Sequence, residues 1–206
     1  MSKKKISMAF RVNNIFYSLQ GEGRNTGRAA AFVRFAGCNL RCTFCDTDYT
    51  AFTLMSAEDI VLRISTYKSR FVVLTGGEPT LQADESFVDL LHQHGFEVAM
   101  ESNGTMPAPA NLDWLTVSPK NKGIWALREK HWRQPDELKI VFNEDTHPED
   151  FALPASLPKP CLCYLQPCDT GDERRNKAIV QRCVEYIKTH PHWRLSLQTH
   201  KLIDIE

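Results

Sequence analysis

At 206 residues the chain is long enough to bury one good core, and a single domain over residues 1–206 is expected. With 42% hydrophobic and 24% charged residues it is neither a disordered nor a membrane-embedded chain, and its 25 basic and 25 acidic side chains leave no net field to draw it to nucleic acid or a membrane surface. A small-molecule ligand is expected instead. Seven cysteines, an odd number, follow an N-terminus running from Met1 to Arg11 without the apolar stretch of a secretory signal, which predicts a reducing cytoplasm and thiols available for metal.

In chain order, Val12 to Leu19 predicts a strand and Gln20-Gly21-Glu22-Gly23 a turn. Ala30 to Ala36 is an apolar run that predicts a buried strand, and it leads into the loop Gly37 to Thr47. Ser56 caps a helix with an acid three residues on, and Ala57, Ile60, Val61 and Ile64 mark its buried face. Phe71 to Thr75 is the next strand; Asp84 caps a helix that stops at Gly95; Phe96 to Met100 is the strand after it. This is βα alternation. It then becomes irregular: Trp114 to Val117 and Glu137 to Phe142 predict strands, with a helical stretch around Ile124 to Lys130 between them. Pro148 to Pro160 predicts a surface connection, Leu162 to Gln166 a strand, Ala178 to Ile187 an amphipathic helix, and Trp193 to Gln198 a closing strand. The expected fold is α/β, a partial, eroded βα barrel.

The loop holds Cys38, Cys42 and Cys45 in a Cys-x3-Cys-x2-Cys pattern with no fourth local Cys or His. A structural zinc site is normally closed by four protein ligands, so three thiolates point to a centre that keeps one position open. An open iron of a 4Fe-4S cluster fits. A zinc knuckle, or a redox-sensing thiol cluster with a distant fourth ligand, is the competing account. Cys161, Cys163, Cys168 and Cys183 are assigned no metal, buried structural thiols being the commoner case.

Polar clusters follow the strands at Cys38 to Thr47, Thr75 to Glu78, Glu101 to Thr105, Ser118 to Lys120, Gln166 to Asp169 and Thr199 to Lys201. In parallel βα folds ligands bind at these strand ends, so one shared site is expected. Gly76-Gly77-Glu78-Pro79 combines a glycine edge that permits close backbone approach with a carboxylate suited to an ammonium.

Cys-x3-Cys-x2-Cys followed by Gly-Gly-Glu resembles the radical S-adenosylmethionine (SAM) superfamily. Leu19-Gln20-Gly21-Glu22-Gly23, Cys45-Asp46-Thr47, Thr75 to Pro79, Glu101 to Thr105, Val117 to Lys120, Leu165-Gln166-Pro167 and Leu197 to Lys201 together resemble the 7-carboxy-7-deazaguanine synthase family over nearly the whole chain. That resemblance implies radical ring contraction of 6-carboxy-5,6,7,8-tetrahydropterin with loss of ammonia, on the route to queuosine. The 5′-deoxyadenosyl radical would abstract hydrogen from substrate carbon 6, with SAM regenerated and Mg²⁺ assisting. It further implies a homodimer and a flavodoxin-like or similar electron donor.

Carried over residue by residue, Cys38, Cys42 and Cys45 would hold the cluster. SAM would meet Phe44, Cys45, Asp46, Gly77, Glu78, Ser102, Ser118, Pro119, Lys120, Gln166, Pro167, Cys168 and Asp169. The substrate's N–H edge would meet Glu101, its carboxylate Arg34, and its flanks Leu19, Gln20, Gly21, Thr75 and His200. The resemblance also implies that the terminal residue contacts substrate, which makes the α-carboxylate of Glu206 a candidate acceptor; the five residues after Lys201, reaching at most ~16–18 Å, could fold back over the site. Thr47 matches the Mg²⁺ position. A glycyl-radical activating enzyme, or an iron-sulfur or zinc module binding protein or RNA, are the alternatives; neither accounts for the Glu101, Arg34 and Gln198-Thr199-His200-Lys201 constellation.

Overall fold

The computed structural model describes residues 9–45, 47–120, 133–151 and 161–206. The elements are β1 (Phe10–Leu19), β2 (Ala29–Phe35), β3 (Thr53–Met55), α1 (Ala57–Ser65), β4 (Phe71–Gly76), α2 (Glu85–Gln93), β5 (Glu97–Ser102), β6 (Trp114–Val117), β7 (Glu137–Phe142), β8 (Leu162–Pro167), α3 (Glu173–Thr189), β9 (Trp193–Leu195) and α4 (Thr199–Leu202). They form one nine-stranded sheet in the order β3-β1-β2-β4-β5-β6-β7-β8-β9. From β2 to β9 every neighbouring pair is parallel, while β1 runs antiparallel to both β2 and β3. The sheet is an open partial barrel: among the described residues nothing pairs β9 with β3.

Local chemistry sets these boundaries. Ser56 and Asp59 form a reciprocal capping box at α1, and the Asp84 side chain accepts from Phe87 N at α2. Along the parallel strands alternate side chains feed a helix-side core. Ala31, Val33 and Phe35 of β2 meet Val72 and Leu74 of β4 there, with Ile60, Ile64 and Leu91 from the helices. A second core, around Leu138, Ile140, Leu165, Ile179 and Trp193, lies under α3. In β1 the register slips between Val12 and Asn14, so Val12 pairs with Phe35 of the helix-side core while Asn14 pairs with Arg34 on the opposite face.

Two expectations need correction, and one strand was not expected at all. The closing strand ends at Leu195 rather than Gln198, because Ser196 N makes its bond to Leu165 O and Thr199 N turns to Gly21 O, leaving Gln198 as the N-cap of α4. The start of the proline-rich connection is not superficial, since Pro148–Phe151 is a 3-10 turn that buries Pro148 and Phe151. β3 went unpredicted, three residues being too few for an alternation to show. The helix expected over Ile124 to Lys130 and the rest of the Pro-rich stretch, 152–160, lie outside the described residues.

Candidate active site

Because one set of alternating residues enters the helix-side cores, the other set faces the concave side. Arg34, Thr75, Glu101, Lys139 and Gln166, from five different strands, line a cavity of about 430 Å³. That size lies in the ~300–1,000 Å³ range of small-molecule sites. Deeper on this face the lining gives way to an apolar cluster of Phe16, Ala30, Phe32, Phe71, Val73 and Ala99.

Cys38, Cys42 and Cys45 all line the same cavity. Cys38 Sγ accepts from Leu40 N at 3.4 Å and from Asn103 Nδ2 at 3.9 Å, the kind of contact that tunes the sulfur ligands of an iron-sulfur cluster. Burial pushes the Cys42 thiol above its ordinary pKa; Lys120 opposes this, and the neighbouring Cys45 and Cys38 add to it. Iron bound to the thiols would supply the missing positive charge. The loop is stitched to the Gly-Gly-Glu turn by Gly77 N donating to Phe35 O (3.1 Å) and Glu78 N donating to Gly37 O (2.9 Å). A Cβ on Gly77 would overlap Gly37 O and lie 3.0 Å from Cys38 Cβ, so only glycine fits there. Among the described residues no three His, Cys, Asp or Glu side chains are grouped as a set for a single metal ion. A soft three-thiol set with N–H···S support, beside a glycine edge, fits a 4Fe-4S cluster with SAM against it.

The opposite part of the floor is a buried charge network. Lys139 Nζ pairs with Glu22 Oε2 and lies 3.6 Å from Glu101 Oε1. Burial presses the Lys139 ammonium toward losing its proton, but Glu101 and Glu22 outweigh that and hold its pKa above the ordinary lysine value. Burial likewise presses the Glu22 carboxyl up, and Lys139, helped by Gln198 and His200, brings it below the ordinary value. Gln20 Nε2 donates to Glu101 Oε1 at 2.9 Å, while Gln166 Nε2 and Gln198 Nε2 both donate to Glu22 Oε1 at 3.1 Å. Lys120 donates to Ser118 Oγ at 2.7 Å; burial and the charge of Lys139 push its pKa down.

Residues 32–120 match the family model described as the radical SAM superfamily. The chain is 46% identical over 198 residues to a 7-carboxy-7-deazaguanine synthase of Bacteroides thetaiotaomicron, covering 96% of this chain and 100% of that one. It is 42% identical to a Bordetella pertussis protein of the same name, again over 96% and 100% of the two chains. The chain belongs to the 7-carboxy-7-deazaguanine synthase family. A solved structure agrees: QueE from Escherichia coli superposes with a TM-score of 0.71 at 28% identity, covering 92% of this chain and 93% of that one. Membership of the radical SAM superfamily brings a 4Fe-4S cluster and SAM as cofactors.

Within this synthase fold the cavity gathers Leu19, Gln20, Gly21, Arg34, Thr75, Glu101 and His200, the residues expected around a substrate. Phe44, Gly77, Ser102, Ser118, Lys120 and the run Gln166 to Asp169, expected around SAM, also line it. Two expected SAM residues do not. Pro119 is buried away from the lining, and Glu78 is wholly buried. The Glu78 carboxylate already accepts from Thr80 N (3.0 Å), Thr80 Oγ1 (2.7 Å), Ser102 Oγ (2.9 Å) and Asn103 N (2.7 Å), so the expected ammonium contact is corrected to a brace for the Ser102-Asn103 wall. Asp46 lies outside the described residues.

Thr47 lines the cavity and its Oγ1 accepts from Arg34 Nη1 at 3.4 Å. Glu206 also lines the cavity, and its side-chain Oε1 accepts from Asn14 Nδ2 at 2.6 Å. His200 is packed on Gly21, where a Cβ would overlap its ring, and Thr199 N and Oγ1 both donate to Gly21 O, at 3.0 and 2.9 Å. The sequence reading assigned no role to Glu22 or Lys139, which anchor this wall.

Proposed function

We propose that this chain, acting as one domain, converts 6-carboxy-5,6,7,8-tetrahydropterin to 7-carboxy-7-deazaguanine with loss of ammonia, a step toward queuosine. The observation that carries the reading is a pair of complementary groups on one floor. Among the described residues the Arg34 guanidinium meets only Thr47 Oγ1 and the face of Phe16, 5.4 Å away, with no carboxylate partner. Glu101 uses Oε1 for Gln20 and Lys139, which leaves Oε2 as an acceptor without a partner among the described residues. A flat molecule with a carboxylate at one end and N–H donors at the other satisfies both.

When bound, the cluster supplies the electron and SAM the hydrogen-abstracting radical. The chain's residues orient and shield. Arg34 takes the substrate carboxylate as a bidentate partner. Glu101, Gln20 and His200 hold the donor edge, and Phe16 and Phe32 keep the deeper wall apolar. Thr47 would give Mg²⁺ one protein oxygen, the remaining positions going to water and substrate. The exposed Cys45 supports access by a flavodoxin-like donor to the cluster loop. Exposed Phe52 and Leu54 at the β3 edge support a homodimer. No helix among the described residues is long and apolar enough to cross a membrane, in keeping with a cytoplasmic enzyme.

The test is anaerobic incubation of cluster-loaded protein with the carboxytetrahydropterin, SAM, Mg²⁺ and reductant, followed by mass spectrometry. 7-Carboxy-7-deazaguanine is expected, and its absence would refute the assignment. Glu101→Gln, which swaps an acceptor for a group that also donates, should weaken substrate binding by about 100-fold with iron content unchanged. Parent-like affinity would remove Glu101 from the substrate site.

A further inference from the structure

We propose that Glu22 and Lys139 are a positioning pair that aims Glu101 at the substrate, Glu22 fixing Lys139 and Lys139 fixing the Glu101 carboxylate. This rests on the reading of Glu101 as the acceptor for the substrate's N–H edge.

A lysine side chain 5% exposed in the floor of a sheet is costly to maintain unless its charge is answered. Lys139 is answered twice, by Glu22 from the turn after β1 and by Glu101 from β5. Both groups that hold Glu101, Lys139 Nζ and Gln20 Nε2, meet the same oxygen, Oε1. The Gln20 hydrogen bond from the turn and the Lys139 charge from β7, 3.6 Å away, converge on Oε1, which fixes the rotation of the carboxylate and directs Oε2 elsewhere. Glu22 is in turn fixed by three donors, Lys139, Gln166 and Gln198, from β7, β8 and the cap of α4. The pair therefore transmits the placement of three elements to one acceptor oxygen. The remaining charges near Lys139 are Lys120 beyond β6 and Glu137 on its own strand, whose Oε2 accepts from Arg24 N at 3.0 Å. His200 acts on Glu22 from α4.

A merely structural ion pair would destabilise every ligand site when broken, whereas a positioning pair acts only through Glu101. The experiment is a double-mutant cycle read by equilibrium titration of the carboxytetrahydropterin and, separately, of SAM into cluster-loaded protein. Lys139→Met should weaken pterin binding about 10- to 100-fold, at least about ten times more than it changes SAM affinity, with iron content unchanged, and Lys139→Arg should recover most of the loss. In a Glu101→Gln background Lys139→Met should cost nothing further. If Lys139→Met proves too unstable to titrate, Glu22→Gln is read in the same way, with a several-fold loss that vanishes in the Glu101→Gln background. Additive losses, or parent-like pterin affinity in Lys139→Met, would overturn the positioning role while leaving Glu101 in place. Parent-like affinity in Glu101→Gln alone would overturn the pair and the acceptor reading together.

Discussion

Cys42→Ala protein, prepared and reconstituted without oxygen, is expected to be colourless and to lose the iron and sulfide of its cluster, from about four of each per chain to a small residue. The expectation rests on how the loop is built. Its thiols line one cavity, and burial pushes the Cys42 thiol above its ordinary pKa against the opposing charge of Lys120, a shift that bound iron would offset. With one thiolate gone, only Cys38 and Cys45 remain to hold a cluster. Cys183→Ala is the control: that thiol lies on the buried face of α3 in a separate core, where burial pushes it up to about 12, and its loss should leave the iron content intact. Full cluster occupancy in Cys42→Ala would move the iron site elsewhere.

The second large effect comes from one methyl group. Gly77→Ala drives a Cβ into Gly37 O, and the obstacle cannot retreat. Gly37 is pinned from both sides, its carbonyl accepting from Glu78 N at 2.9 Å and its N–H donating to Tyr49 O at 3.0 Å. Overpacking of this kind costs ~1–3 kcal/mol, which for a chain of this size lowers Tm by about 3–10 °C. Because the displaced backbone carries Cys38, SAM affinity should fall at least about 100-fold, read as loss of the SAM-induced change in the electron paramagnetic resonance spectrum of the reduced cluster. A parent-like melting curve together with a parent-like SAM response would show that the two turns are not interlocked.

Much of this site was legible because its motifs are local and its fold is regular. Ser56 with Asp59 and the cap at Asp84 announce helices, apolar runs announce buried strands, and the polar residues behind those runs meet at one rim. What escaped depends on contacts between distant segments. Glu78 reads as a ligand until Thr80, Ser102 and Asn103 are seen to occupy its carboxylate. Gln198 reads as the end of a strand until Gly21, far away in the chain, captures Thr199. Lys139 did leave a signal. In Glu137-Leu138-Lys139-Ile140-Val141-Phe142 charge alternates with apolar side chains, which on a one-sided sheet means solvent. On a curved parallel sheet with helices on its outer face it means a polar chamber on the concave one.

The two helix-side cores leave a seam. The first is complete by Val117, the second begins at Leu138, and between them β6 and β7 are joined in register only at Thr116 with Glu137 and Val117 with Leu138. The cysteine loop belongs wholly to the first side; Lys139, Gln166 and His200 belong to the second. Residues 21–24 span the gap, with Arg24 N on Glu137, Gly23 N on Ser196 Oγ at 3.0 Å, and Gly21 O under Thr199. A chain made from its N-terminus therefore has every strand partner of its thiol loop in hand before the far wall has been synthesised. The metal half of the chamber can take shape while still open to iron delivery, and the room in which the radical is confined is the last part of the molecule to be closed.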